Sequence, residues 1–267
     1  MKKGLIAFII ILAVFMTSCS LGVGSAVTSR NDEIDQGVLD AIAAIDDQVI
    51  ENIKNNDADA IFEMSSEDLK KESGNIADVI GEIHEIAKDQ SFAYQGRYYS
   101  KVKKLGDYSF TVNTLDDDPF FIRMNAVAPE MFVSLLKTNS DIDDCLLSLV
   151  YVKQESDWKL WTLYIGAYSY HGMTAMDLYE KAKTTAAQGT APAALYLVLS
   201  NRTMHPSPLL QYKIEDEITA YSGEIIDSLN QESAFPIELK NASNAEIYGL
   251  DIRVVQQGFV PVIKYNP

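Results

Sequence analysis

The sequence predicts an α+β fold: N-terminal helices packed on a curved antiparallel sheet, followed by a helical flank with a short C-terminal β element. Three observations carry that prediction. Apolar residues recur every three or four positions between Ile34 and Ala87. From Ser91 to Ile165 they alternate or run continuously, and after His171 the helical period returns before short strands near the C-terminus. Helices first and strands after is the order that segregates helices to one face of an antiparallel sheet.

The elements follow in order. Ile34, Val38, Ile42, Ile45, Val49 and Ile53 are spaced 4, 4, 3, 4 and 4 residues apart, one face of a long amphipathic helix. Asn31 or Asp32 is placed to cap it, with acids in its first turn. Asn55-Asn56 breaks it, and Asp57 caps a short helix holding Ile61, Phe62 and Met64. A third helix after Gly74 aligns Ile76, Val79, Ile80, Ile83 and Ala87. Phe92, Tyr94, Tyr98 and Val102 then lie on alternate positions, as do Tyr108, Phe110 and Val112; Leu105-Gly106-Asp107 between them reads as a hairpin turn. Phe120 to Met124, Cys145 to Lys153 and Trp158 to Ile165 are further strands, the last two joined by the polar turn Gln154-Glu155-Ser156-Asp157. Residues 33–170 thus make the α+β domain.

Residues 171–267 differ in texture. Thr174 with Asp177 forms a cap for a helix through AMDLYEKAKTTAAQ, which Gly189 ends. Pro192 opens a second helix, PAALYLVLSN, and His205-Pro206-Ser207-Pro208 is a rigid turn. A third helix is expected from Leu209 to Asn230, with strands at 235–239, 246–254 and 259–265. No 34-residue period relates the helices, which excludes a tetratricopeptide array.

The net charge of -16 is uneven: residues 31–90 hold 17 acids and 4 bases, while the two later thirds are nearer balance. Such charge opposes nucleic-acid binding, which needs Lys and Arg to displace counterions, and docking of that surface on anionic lipid. The ordinary reading is a solvated helix face; the sharper one is a docking surface for a basic partner.

The opening MKKGLIAFIIILAVFMTSCS has a positive start at Lys2 and Lys3, an apolar run from Leu5 to Met16 and a cysteine at Cys19. That is the form of a signal peptide over residues 1–18, with an apolar run shorter than the ~20 residues that span a bilayer. Met16-Thr17-Ser18-Cys19 resembles the lipobox of bacterial lipoproteins, with Met16 in place of the usual Leu. The resemblance implies that Cys19 becomes the N-terminus and carries acyl chains such as palmitate, so that residues 19–32 tether the protein to the extracytoplasmic face of a bacterial membrane. Cys145 is then the sole remaining cysteine, so no internal disulfide forms. It lies in the apolar run CLLSLVYV and reads as a buried inert thiol.

The helical start, the short helix after Asn55-Asn56-Asp57-Ala58 and the strands ending in DWKLWTLYIG resemble the nuclear-transport-factor-2-like fold, a cone in which helices close over a strongly bent sheet. NIKNNDADAIFEMSSEDLKK is similar to the opening of bacterial lipoprotein families of that fold with no assigned function. The resemblance implies a cone-like domain and says little of activity, because one fold hosts many functions.

No nucleotide loop, zinc-ligand cluster or nucleophile elbow is present, so neither a cofactor nor a metal is expected. The acids at Asp116-Asp117-Asp118 and at Asp141, Asp143 and Asp144 lack the glycine and distal Glu of a calcium loop and read as solvated turns. His84 reads as a helix-edge or core residue, and His205 as structural. If the cone encloses a pocket, Tyr94, Tyr98, Tyr108, Trp158 and Trp161 are the aromatics to line it, with His171 near its mouth; the plainer reading makes the aromatics core. These features point to a non-enzymatic binding or interaction lipoprotein, whose partner is a small molecule or an envelope protein. The alternatives are an isomerase- or dehydratase-like enzyme acting in the cone and a structural spacer in an envelope complex. A buried Asp, Glu or His facing the cavity would favour the enzyme.

Overall fold

The computed structural model describes residues 26–72, 76–112, 120–232, 236–238 and 246–266, without the side chains of 72, 107–110 and 238. The expected signal peptide, Cys19 and the Asp116-Asp117-Asp118 cluster lie outside the described residues, as does the side chain of Tyr108. The architecture is mixed α/β, built on a curled antiparallel half-barrel sheet.

The chain is structured before the first helix. Residues 26–32, which the sequence assigns to the tether, form strand β1 (Ala26–Arg30) and the start of a 3-10 turn. β1 pairs along β2 (Phe92–Val102), from Ala26 opposite Val102 to Arg30 opposite Tyr98. Backbone pairing to an available sheet edge overrides the small, polar composition. Helix α1 (Gln36–Lys54) accordingly starts later than expected, capped by Asp35, which accepts from the amides of Gly37 and Val38 at 2.9 and 3.4 Å.

The end of α1 is where Asn55-Asn56 places it. Asn56 takes a positive φ of 54°, its amide donates to the Ile53 carbonyl, and the Asp57 amide donates to the Asn52 carbonyl at 2.8 Å. These two bonds are a Schellman termination, and Asn tolerates the left-handed position it needs. Asp57 then caps α2 (Ala58–Met64) through the Ala60 amide. α3 (Glu67–Glu72), which the apolar pattern does not announce, and α4 (Ile76–Ala87) complete the N-terminal helices.

Strands β2, β5 (Glu130–Thr138), β6 (Asp143–Gln154), β7 (Asp157–Tyr170) and β8 (Met173–Thr174) follow β1 in the main sheet, whose order is β1-β2-β5-β6-β7-β8. β3 (Gly106–Val112) and β4 (Phe120–Ala126) pair with each other and not with β2. The expected β2–β3 hairpin through Leu105-Gly106-Asp107 is therefore wrong: the chain turns there into a second sheet, β3-β4-β9, closed by β9 (Leu210–Tyr212). β9 also displaces the start of the last long helix, expected at Leu209, to α7 (Glu215–Glu232).

Both faces of the main sheet are covered. α1, α2 and α4 pack on one face against Tyr99, Phe132, Leu136, Leu147, Leu149 and Tyr151. The other face, with Tyr98, Met131, Val133, Leu135 and Val150, is covered by β4, β9 and helices α5 (Ala175–Thr185), α6 (Thr190–Thr203) and α7. Residues 171–267 thus share a core with the sheet. Met131 to Leu136 and Leu146 to Val152 are consecutively buried, the signature of strands covered on both sides. β5 has no alternation for that reason and escapes detection in the sequence. The C-terminal strands β10 (Ile237–Glu238), β11 (Glu246–Val255) and β12 (Gly258–Asn266) form a separate antiparallel sheet, docked through Ile252, Val254 and Phe259 on Leu178, Leu199 and Tyr196.

Candidate functional site

The aromatics picked out in the sequence do not converge. Tyr94 and Tyr98 occupy alternate positions, yet the register of β2 against β5 shifts between Tyr94 and Gly96. This β-bulge reverses the facing of the strand. Tyr94 turns its hydroxyl toward α1, while Tyr98 is buried in the opposite core. Trp158 and Trp161, three positions apart on β7, fall on opposite faces by strand alternation alone: Trp158 packs with the N-terminal helices and Trp161 with the C-terminal ones. Trp158 meets Tyr99 and Phe132 edge-on at 6.1 and 6.3 Å. A single aromatic pocket is excluded by this division between two faces.

His171 also has another role. With Gly172 it forms the two-residue turn between β7 and β8, both at positive φ (49° and 72°), the geometry of a type I′ hairpin. Its Nε2 donates to the Val255 carbonyl at 2.8 Å and its ring meets Phe259 edge-on at 5.4 Å. It fastens the C-terminal sheet to the main one. His84 Nδ1 lies 3.1 Å from the Ile53 carbonyl, tying α4 to the end of α1. The Cys145 thiol is half-buried, and burial followed by the charges of Asp143 and Asp144 pushes its pKa up to about 11, which keeps it protonated and unreactive. Among the described residues no group of three or more His, Cys, Asp or Glu is placed to hold a metal ion.

Two features stand out instead. The first is Asp46, fully buried on α1. Tyr151 donates to its Oδ1 at 2.6 Å, and Ser134 and Tyr94 donate to its Oδ2 at 2.7 and 2.8 Å. The three donors come from the adjacent strands β6, β5 and β2. Burial raises the carboxyl to a pKa of about 6, opposed by the three hydroxyl bonds and reinforced by the neighbouring Asp47. Asp46 is absent from the candidates drawn from the sequence, which are strand aromatics and His171. The signal lies on the helix: buried Leu39, Ile42, Asp46, Val49 and Ile53 follow one 3-4 stripe, and an acid within such a stripe is an anomaly.

The second is an open apolar groove of about 140 Å³ between α6, α7 and β11, lined among others by Ala194, Leu195, Val198, Ile226, Leu229 and Leu250. Val198 and Ile226 on its rim are 38 and 52 % exposed. Its polar element is Asn201, which donates across to Ser222 at 3.4 Å. The apolar surface continues onto β12, where Ile263, paired with Leu250, is 55 % exposed. Such a groove offers apolar contact and hydrogen bonding through Asn201 and Ser222, with no ionisable side chain among its described lining residues, which suits recognition of an apolar group.

No protein-family model, curated protein or solved structure matches the chain.

Proposed function

We propose that this chain is a lipid-anchored extracytoplasmic protein whose work is binding or interaction rather than catalysis. The observation that carries this reading is the open apolar groove between α6, α7 and β11, with exposed Val198 and Ile226 at its rim. The curled sheet with α1, α2 and α4 over one face supports a cone-like, nuclear-transport-factor-2-like domain. The anchor rests on the lipobox-like Met16-Thr17-Ser18-Cys19.

Native and denatured masses of the full chain, isolated in detergent from the membranes of its own cells, test both parts. The reading expects an acylated Cys19 at the N-terminus, and a companion molecule or protein released on denaturation. An unmodified N-terminus would sink the anchor, and a bare chain at every detergent concentration would favour the spacer alternative.

Asp46 favours a second reading, that of an enzyme acting inside the cone. A buried carboxyl with a pKa of about 6 is matched to general acid–base work near neutrality, with Tyr94 and Tyr151 as hydrogen-bonding partners. A small molecule retained by the wild type and lost from Asp46→Asn would support it. Retention by both proteins would count against it.

A further inference from the structure

Resting on the lipid anchor proposed above and not on the groove, we infer that the end of the main sheet where β1 begins docks on the anionic phospholipid surface that holds the anchor. The entry of the chain into the fold fixes the place. Six residues, 20–25, separate Cys19 from Ala26, and at Ala26 the chain already runs along β2. Fully extended, that stretch reaches about 25 Å. β2 itself, at 11 residues, spans roughly 36 Å. The tether therefore keeps the Ala26 end of the sheet, and not its opposite end, within reach of the bilayer whatever way the domain turns.

Three segments meet at that end. Ala26 pairs with Val102, and the Val102 amide donates to the Pro129 carbonyl at 2.8 Å, which brings the β4–β5 loop alongside. Gly106 pairs with Ala126, so Leu105 and Val127 leave the β3–β4 ladder together. Val27, Leu105 and Val127 are 56, 49 and 39 % exposed. With them stand Lys101, directly opposite Val27 in the register, and Lys103 and Lys104. All three lysines are exposed, and none has an ion-pair partner among the described residues.

In a chain of net charge -16, residues 101–107 carry three Lys against the single Asp107. Neighbouring acids are engaged or set apart. Glu130, opposite Lys101, accepts from the Tyr99 hydroxyl and lies 3.5 Å from Lys153. Asp35 caps α1. Glu155 and Asp157 belong to the β6–β7 turn, two strand spacings or about 10 Å along the sheet from β2. Exposed apolar side chains between lysines suit the boundary of headgroups and acyl chains, where the former insert and the latter meet phosphates. The attraction of each lysine fades within about 8 Å at physiological salt. A short tether overcomes that limit, because it makes docking an intramolecular event in which a weak surface suffices.

The test uses the full chain in phosphatidylcholine vesicles containing about one part in three of phosphatidylglycerol. A thiol is introduced as Leu105→Cys at the docking end, or as Asn139→Cys just past the far end of β5, where the residue is exposed. Acylation occupies Cys19, and Cys145 is half-buried with an unreactive thiol, so an environment-sensitive dye labels the introduced position. Quencher-bearing lipid then reads contact with the bilayer. Two lysine triples are compared in each background: Lys101→Gln, Lys103→Gln, Lys104→Gln, and as control Lys71→Gln, Lys88→Gln, Lys181→Gln, also exposed. Circular dichroism checks that each variant is folded.

Docking at this end predicts about threefold more quenching at 105 than at 139, most of it lost in the first triple and kept in the control. Equal quenching at the two positions, or equal loss in both triples, overturns the inference. The anchor is read separately, by flotation with the vesicles in about 1 M salt, where exposed charges are screened. A chain that floats while the dye at 105 stays unquenched loses the docking surface and keeps the anchor. A chain that does not float, with its Cys19 thiol free, overturns both, since the tether places the surface at the membrane.

Discussion

Asp46 is the residue whose environment is most at odds with its chemistry, and pH is the way to interrogate it. Its folded pKa of about 6 lies above its ordinary 3.8. Between those values the native state holds a proton that the unfolded chain has released, so stability falls as pH rises through the window. At about 1.4 kcal/mol per pKa unit, the difference is on the order of 3 kcal/mol. Asp46→Asn keeps a hydrogen-bonding group of similar shape without the charge. It should abolish this slope, so that its stability relative to wild type improves steadily between about pH 4 and about pH 6. Urea unfolding across that range measures it; parallel curves for the two proteins would show that folding does not raise the Asp46 pKa. Gly166 gives a second prediction at this scale. A Cβ there would lie 2.5 Å from the Pro206 carbonyl oxygen, so β7 touches the backbone of the turn that precedes β9. Gly166→Ala should cost roughly 1–3 kcal/mol, because backbone rather than a flexible side chain must move. An unchanged urea midpoint would contradict that packing.

At the scale of elements, signals that act within a few residues were legible, and those that depend on pairing partners were not. Asp57 and Thr174 cap the helices the sequence assigns them to, and Asn55-Asn56 ends α1, because each motif satisfies local backbone groups. In the box at α5, the Thr174 amide and hydroxyl both donate to Asp177, at 2.9 and 2.7 Å. Thr174→Ala should lower stability by about 1 kcal/mol. Since α5 places Ala175, Tyr179 and Ala182 in the core of the main sheet, the loss should appear in global unfolding rather than as local fraying. A variant that frays at α5 while its urea midpoint holds would speak against that coupling. The bulges beside Tyr94 and Trp161 carried no such local mark. An extra residue in one strand is defined only by the strand opposite, and the one beside Tyr94 sets Tyr94 and Tyr98 on opposite faces of the sheet.

The main sheet lies between two cores, and residues 26–170 cannot cover both of its faces. Removing residues 171–267 would strip α5, α6, α7 and β9 from the face bearing Tyr98, Val133, Leu135 and Val150. Such an exposed apolar surface drives association. Residues 26–170 alone should bind a hydrophobic dye and aggregate, while the full chain should unfold in one transition. A monomeric fragment with a cooperative melt would mean that the second face needs no cover. By itself the sequence determined a mixed helix-and-strand fold, most helices, the helix end at Asn55-Asn56, the caps Asp57 and Thr174 though not that of α1, the β6 and β7 strands, and a strongly acidic composition. These depend on period, local backbone chemistry and composition. The tertiary structure alone decided that β1 extends the sheet and that β3 leaves it. It also decided that the chosen aromatics part company, that three hydroxyls from three strands meet Asp46, and that α6, α7 and β11 leave a groove open. Each of these joins groups distant in the chain, and such contacts are selected by burial and register across the whole fold rather than by any local run of residues.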